Sequence, residues 1–223
     1  LKSKLAEILG ELKSVLSGRT FDAILPPLLY GLLNGKFGLT LAAVAAGGVA
    51  FAFFLYRLAK RQNWAYALVG LAGVALATGL ALITREASAY YLPGILSSAL
   101  LVLLLIISLV VSKPLAAWAS HLARGWPLAW FWLPSIRPAY LEVTIFWLVF
   151  FLARLVIQIS LYQQGQTVSL AWANMLLGWP VTIVVLVLSY VYGIWRLRKL
   201  RGPGVDEFIT GKQPPYRGQT RGF

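Results

Sequence analysis

The chain has 223 residues, of which 59% are hydrophobic and 12% charged, with a mean hydropathy of +0.75 and a formal net charge of +13. A water-soluble domain must cover its core with polar surface, and this composition leaves too little polar material to do so. There is no cysteine and one histidine, which excludes disulfides, thiolate metal sites, cysteine nucleophiles and multi-histidine metal centres. The charge does not point to nucleic acid, because no reading motif accompanies it. Lys and Arg accumulate in cytoplasmic loops of membrane proteins, and that rule accounts for the excess.

From the start of the chain, Leu5, Ile8, Leu9, Leu12, Val15 and Leu16 fall at helical spacing opposite Lys2, Lys4, Glu7, Glu11 and Lys13. Residues 1–19 therefore read as an amphipathic helix lying on a membrane, and its alternating charge is unlike a cleavable signal peptide. Residues 20–34 are apolar but interrupted by Pro26 and Pro27. If this stretch crosses, 17 Lys and Arg share one side and only Lys36 and Arg85 lie on the other; if it does not, the split weakens to 13 against 6, so crossing is the expectation.

The second and third spans are expected at 37–56 and 64–83. Gly47 and Gly48 in one, with Gly70, Gly73 and Gly79 in the other, predict close helix contacts within the bundle. The fourth is expected at 92–111, introduced by Tyr90, Tyr91 and Pro93. Between it and the fifth, residues 115–134 carry Trp118, Trp126, Trp130 and Trp132 among prolines, too broken to cross, and read as an interfacial segment ending in an aromatic elbow. The fifth and sixth spans are expected at 138–162 and 168–195. Arg196, Arg198, Lys199 and Arg201 then form a basic stop, and residues 196–223 read as a flexible cytoplasmic tail with the capacity to order against a partner. The predicted fold class is thus all-α, a bundle of about six transmembrane helices in a domain over 20–195.

Arg154 is the one charge clearly inside a predicted span; Gln158 lies one turn later, and Asn174 enters the sixth span at similar depth. Together they make a polar intramembrane cluster, suited either to an anionic group or to pinning two helices. Asp22 and Glu142 sit near span ends, where pairing with Arg137 or Arg19, or helix capping, is expected. His121, beside Trp118, is a weak candidate ligand for a chlorophyll-type magnesium or a haem. No catalytic set or metal site assembles, so no enzyme activity is expected and no cofactor is predicted, with lipid, quinone or pigment left open. Lys2, Lys4, Lys13, Trp118, Trp126, Arg196, Arg198, Lys199 and Arg201 are the expected contacts to lipid or to other membrane subunits.

The runs AYALVGLAGVALA from Ala65, YYLPGIL from Tyr90 and SKPLAAWASHL from Ser112, with RLVIQISLY from Arg154 and LLGWP from Leu176, resemble an uncharacterised bacterial family of polytopic membrane proteins. More distantly, Lys113-Pro114 and the two hairpin helices that follow are similar to the intracellular septation protein A family, which implies an envelope or division role. The first resemblance implies the six-span fold of a bacterial membrane protein; the distribution of Lys and Arg places both ends of the chain on the cytoplasmic side of the expected inner membrane. The remaining expectation is a non-enzymatic scaffold or accessory subunit of a larger complex; a small-solute or lipid transporter using the Arg154 cluster, and a pigment- or quinone-contacting subunit, are the alternatives.

Overall fold

The computed structural model describes residues 19–60 and 64–223. The expected amphipathic helix, with Lys2, Lys4 and Lys13, lies outside them. About 80% of the described residues are helical, and no strand occurs among them. In chain order the helices are α1 (Arg19–Phe37), α2 (Leu39–Ala59), α3 (Trp64–Thr84), a 3-10 turn (Ala87–Tyr91) and α4 (Leu92–Val110). They continue with α5 (Leu115–Arg124), α6 (Leu128–Phe131), α7 (Arg137–Gln163), α8 (Thr167–Leu176), α9 (Trp179–Leu200) and α10 (Val205–Ile209).

Among the described residues four stretches are long and apolar enough to cross a membrane: Leu39–Ala59, Ala87–Val110, Arg137–Gln163 and Thr167–Leu200. Their apolar side chains point outward: Val44 and Val110, for example, are 71% and 79% exposed. Such a surface is stable only where the surroundings are themselves apolar. The searched part of α3, Leu68–Thr84, is apolar throughout, and α1 does not meet the same standard among the described residues. The two prolines do not break α1, which stays helical through both, with Pro26 fully buried. The sixth span, by contrast, is not continuous. Helix α8 ends at Leu176, a Cβ at Gly178 would stand 2.5 Å from the Asn174 carbonyl oxygen, and Pro180 has no N–H with which to extend the ladder. The chain therefore turns at Gly178 and restarts as α9.

The structure divides into two compact units, 1–96 with 157–180, and 97–156 with 181–223. In the first, α1 packs on α2 and α8, and α2 on α3. Ala42, Ala43, Ala46 and Ala50 of α2 and Ala77 and Ala81 of α3 are buried and bring the helices close. The glycines expected to do this do not: around Gly47, Gly48, Gly70, Gly73 and Gly79 there is open space where a side chain would be. Alanine lines the inner stripe and glycine the outer one. At Gly31 the approach is tighter, since a Cβ there would overlap Ala171 of α8 and lie 2.8 Å from the Tyr91 hydroxyl. That hydroxyl donates to the Pro27 carbonyl at 2.8 Å, Tyr30 donates to the Ala87 carbonyl at 3.0 Å, and Tyr30 stacks on Tyr90 with centroids 3.9 Å apart.

In the second unit the core is aromatic. Trp126, Trp130, Phe131, Ile136, Tyr140, Val143 and Leu197 pack together with Val205 and Phe223 of the tail. The first amides of α5, which have no intrahelical acceptor, donate to side chains: Leu115 N–H to Ser108 Oγ and Ala116 N–H to Thr144 Oγ1, each at 3.2 Å. At its other end α5 stops at Gly125, whose φ of 68° is in the left-handed region, with its N–H donating to the His121 carbonyl. The elbow after it is part of this core: Trp130 and Phe131 have no exposed surface.

Candidate functional site

Two of the three residues of the expected polar cluster meet. Gln158, 1% exposed, donates through Nε2 to Asn174 Oδ1 at 2.7 Å, and Asn174 Nδ2 donates to the Leu170 carbonyl at 2.8 Å, which joins the end of α7 to α8 within the first unit. Arg154 belongs to the second unit, and its Nε is buried with no hydrogen-bond partner. The Oε1 of Gln158 also lacks one. The pair ties α7 to α8, while Arg154 is partly exposed with only its Nε fully buried.

Glu142 does not pair with Arg137. Its carboxylate takes a two-pronged bond from Arg196, with Nε at 2.7 Å from Oε2 and Nη2 at 2.7 Å from Oε1, and the Tyr192 hydroxyl donates to it at 2.7 Å. One turn separates Tyr192 from Arg196 on α9, so both reach the same carboxylate on α7. The planar guanidinium matches both carboxylate oxygens, a match that Arg137 does not make. Arg196, expected as a partner contact, is therefore spent inside the chain. Trp126 is likewise not a surface contact, being 7% exposed, whereas Trp118 is 37% exposed and open to its surroundings. Arg198, Lys199 and Arg201 are exposed, with Lys199 Nζ 5.2 Å from the centre of the Trp195 ring. His121 Nδ1 lies 2.6 Å from the Trp126 carbonyl oxygen, so Nδ1 carries the proton and donates; this bond ties α5 to the elbow.

The tail is not loose. Composition marks it as mobile, yet it folds back on its own unit. Trp130 Nε1 donates to the Pro203 carbonyl at 2.9 Å, Phe223 stacks on Tyr140 with centroids 4.3 Å apart, and the ring takes the place a side chain at Gly193 would need. Glu207 organises the turn: its carboxylate accepts the backbone N–H groups of Gly204, Arg217 and Gly218 and pairs with Lys212 Nζ at 2.7 Å. These donors, the Arg217 amide foremost, hold its carboxyl down at about 2, well below the ordinary 4.5. Sequence reasoning missed this because charge and glycine content hide the two apolar anchors, Val205 and Phe223. The legible clue was Gly193, a costly residue in a helix interior.

A second missed feature is a polar cleft of about 440 Å³ in the first unit. It is lined by Asn34 from the last turn of α1, Glu86, Ala87 and Ser88 at the 3-10 turn, Tyr162 and Gln163 from the end of α7, and Gly165 and Thr167 leading into α8. These positions are scattered over helix ends, and no spacing in the sequence links them.

Membrane-length apolar helices and outward-facing hydrophobic side chains make this an all-helical protein compatible with the integral membrane class. The chain belongs to the family described as a protein of unknown function, DUF3159, which matches residues 17–198. No curated protein and no solved structure matches it.

Proposed function

We propose that this protein is a six-span component of the bacterial plasma (inner) membrane, both ends of its chain cytoplasmic, which works by contact and not by catalysis. On this reading it is a scaffold for envelope assembly or an accessory subunit of a larger membrane complex. The observation that carries the reading is the pair of glycine faces on α2 and α3. Gly47, Gly48, Gly70, Gly73 and Gly79 have nothing within 4 Å of a side-chain position, so each face is smooth enough for another membrane helix to approach at backbone distance. Lipid gives such a face no hydrophobic reason to be covered, and close packing is what a partner helix would gain there. The exposed Trp118, Trp172, Trp179 and Trp195 add amphipathic surface suited to a headgroup zone.

Purification in mild detergent followed by crosslinking is expected to recover the protein with other membrane subunits, and to lose them in Gly73→Leu. Recovery of free monomer alone would count against the proposal. A second reading, a transporter for an anionic solute or lipid, is favoured by the buried and unpartnered Nε of Arg154. Arg154→Leu separates the two: under the contact reading it alters stability or assembly, and under the transport reading it abolishes uptake while assembly survives.

A further inference from the structure

We propose that the polar cleft of the first unit binds a neutral, hydroxyl-rich ligand of about single-sugar size. This goes beyond the contact reading above, and neither depends on the other. A volume of about 440 Å³ lies within the range of about 300–1,000 Å³ typical of small-molecule sites. Such sites are mostly apolar, and this one is not. Its lining brings six polar side chains, Asn34, Glu86, Ser88, Tyr162, Gln163 and Thr167, to one place.

Of these six, only Thr167 has its side chain hydrogen-bonded within the described residues, donating to the Gly165 carbonyl at 3.4 Å. The other five direct their hydrogen-bonding capacity to no protein group. For Ser88 this is informative, because it is 7% exposed and lines the cleft. Its hydroxyl, without a protein partner, takes its bonds from whatever fills the cleft.

The donor and acceptor set then selects the ligand. Asn34 and Gln163 each present a carbonyl and an amine, Ser88 and Tyr162 each present a hydroxyl that both gives and takes, and Glu86 presents two acceptors. That mixture matches a ring of hydroxyl groups, each of which also gives and takes. A phosphate or carboxylate is disfavoured by Glu86, whose carboxylate has no ion-pair partner among the described residues. An acyl chain is disfavoured by the polar walls. Because the cleft is formed at helix ends, the same chemistry is offered by a free sugar or by the sugar headgroup of a lipid.

The full chain, purified in detergent, would be titrated with glucose, galactose, mannose and N-acetylglucosamine by isothermal calorimetry. In a second arm, nanodiscs containing monoglucosyl-diacylglycerol or phosphatidylglycerol would be compared for lipid retention by native mass spectrometry. Saturable binding of a free sugar, or selective retention of the glucosyl lipid, supports the site and identifies its source. Either signal should weaken about tenfold in Glu86→Gln and in Ser88→Ala. Glu86 is exposed, so its variant folds even if that of Ser88 does not. No saturable binding in either arm, preference for phosphatidylglycerol, or binding unchanged in Glu86→Gln would overturn the proposal.

Discussion

Replacing Gly31 by leucine is expected to disrupt the first unit while the same change at Gly47 leaves it intact. Both are helical glycines in apolar surroundings, so side-chain propensity does not distinguish them. The difference lies in what stands beside each. A Cβ at Gly31 would overlap the Ala171 side chain and crowd the Tyr91 hydroxyl, which is itself held against the Pro27 carbonyl. Neither neighbour is the free end of a flexible chain, so α1 and α8 must separate. Overpacking of a close contact costs about 1–3 kcal/mol, and a leucine here belongs at the top of that range. At Gly47 no atom is within 4 Å and the added side chain meets open surroundings. Thermal unfolding in detergent, followed by size-exclusion chromatography, should show a clear loss of the monodisperse fraction for Gly31→Leu only. Equal stability of the two variants would mean that the α1 to α8 contact does not support the unit.

The second large effect is expected at the tail. Phe223→Ala removes a ring stacked on Tyr140 and leaves a void beside Gly193, a change of about 3–5 kcal/mol when a buried phenylalanine is truncated. Losing the strap also strands the Trp130 indole N–H, whose acceptor is the Pro203 carbonyl. Hydrogen exchange should therefore report faster exchange at the amides of Phe208 and Thr210 in α10, which are protected in the intact chain by the carbonyls of Gly204 and Asp206. Acid should reach the same state by another route. The Glu207 carboxyl is depressed when the tail is docked, so its contribution is full above its ordinary value of 4.5 and declines as pH falls towards about 2. Protection of α10 should fade across that window in the native chain and stay flat across it in Glu207→Gln, which lacks the titrating group. Unchanged exchange in Phe223→Ala would show that the tail is not anchored by its last aromatic residue.

Much of the helical layout was legible because apolar runs of membrane length leave the chain few alternatives. Boundaries at 37–56, 92–111 and 138–162 agree with α2, α4 and α7 to within a few residues. What the periodicity could not resolve was which small residues face inward. Alanine and glycine both permit close approach, and only the three-dimensional packing puts Ala46 inside and Gly48 outside. The break at Gly178 falls in the Gly-Trp-Pro sequence, inside the single span expected at 168–195. For the sites, Gln158 and Asn174 were placed together by depth alone, and they do meet. Arg154, expected with them, makes no hydrogen bond to either. The Glu142 to Arg196 pair escaped because it joins residues 54 positions apart, and the cleft escaped because its six polar groups are drawn from four helix ends.

Because the chain contains no cysteine, single cysteines report sidedness without background. Membrane-impermeant thiol labelling of Lys60→Cys, Lys199→Cys, Lys36→Cys and Gln164→Cys in intact cells and in inverted vesicles tests the central claim directly. Six crossings put the first two positions together on the cytoplasmic face and the last two together on the opposite face. Labelling of Lys60→Cys and Lys199→Cys from opposite sides, or of all four from one side, would contradict it.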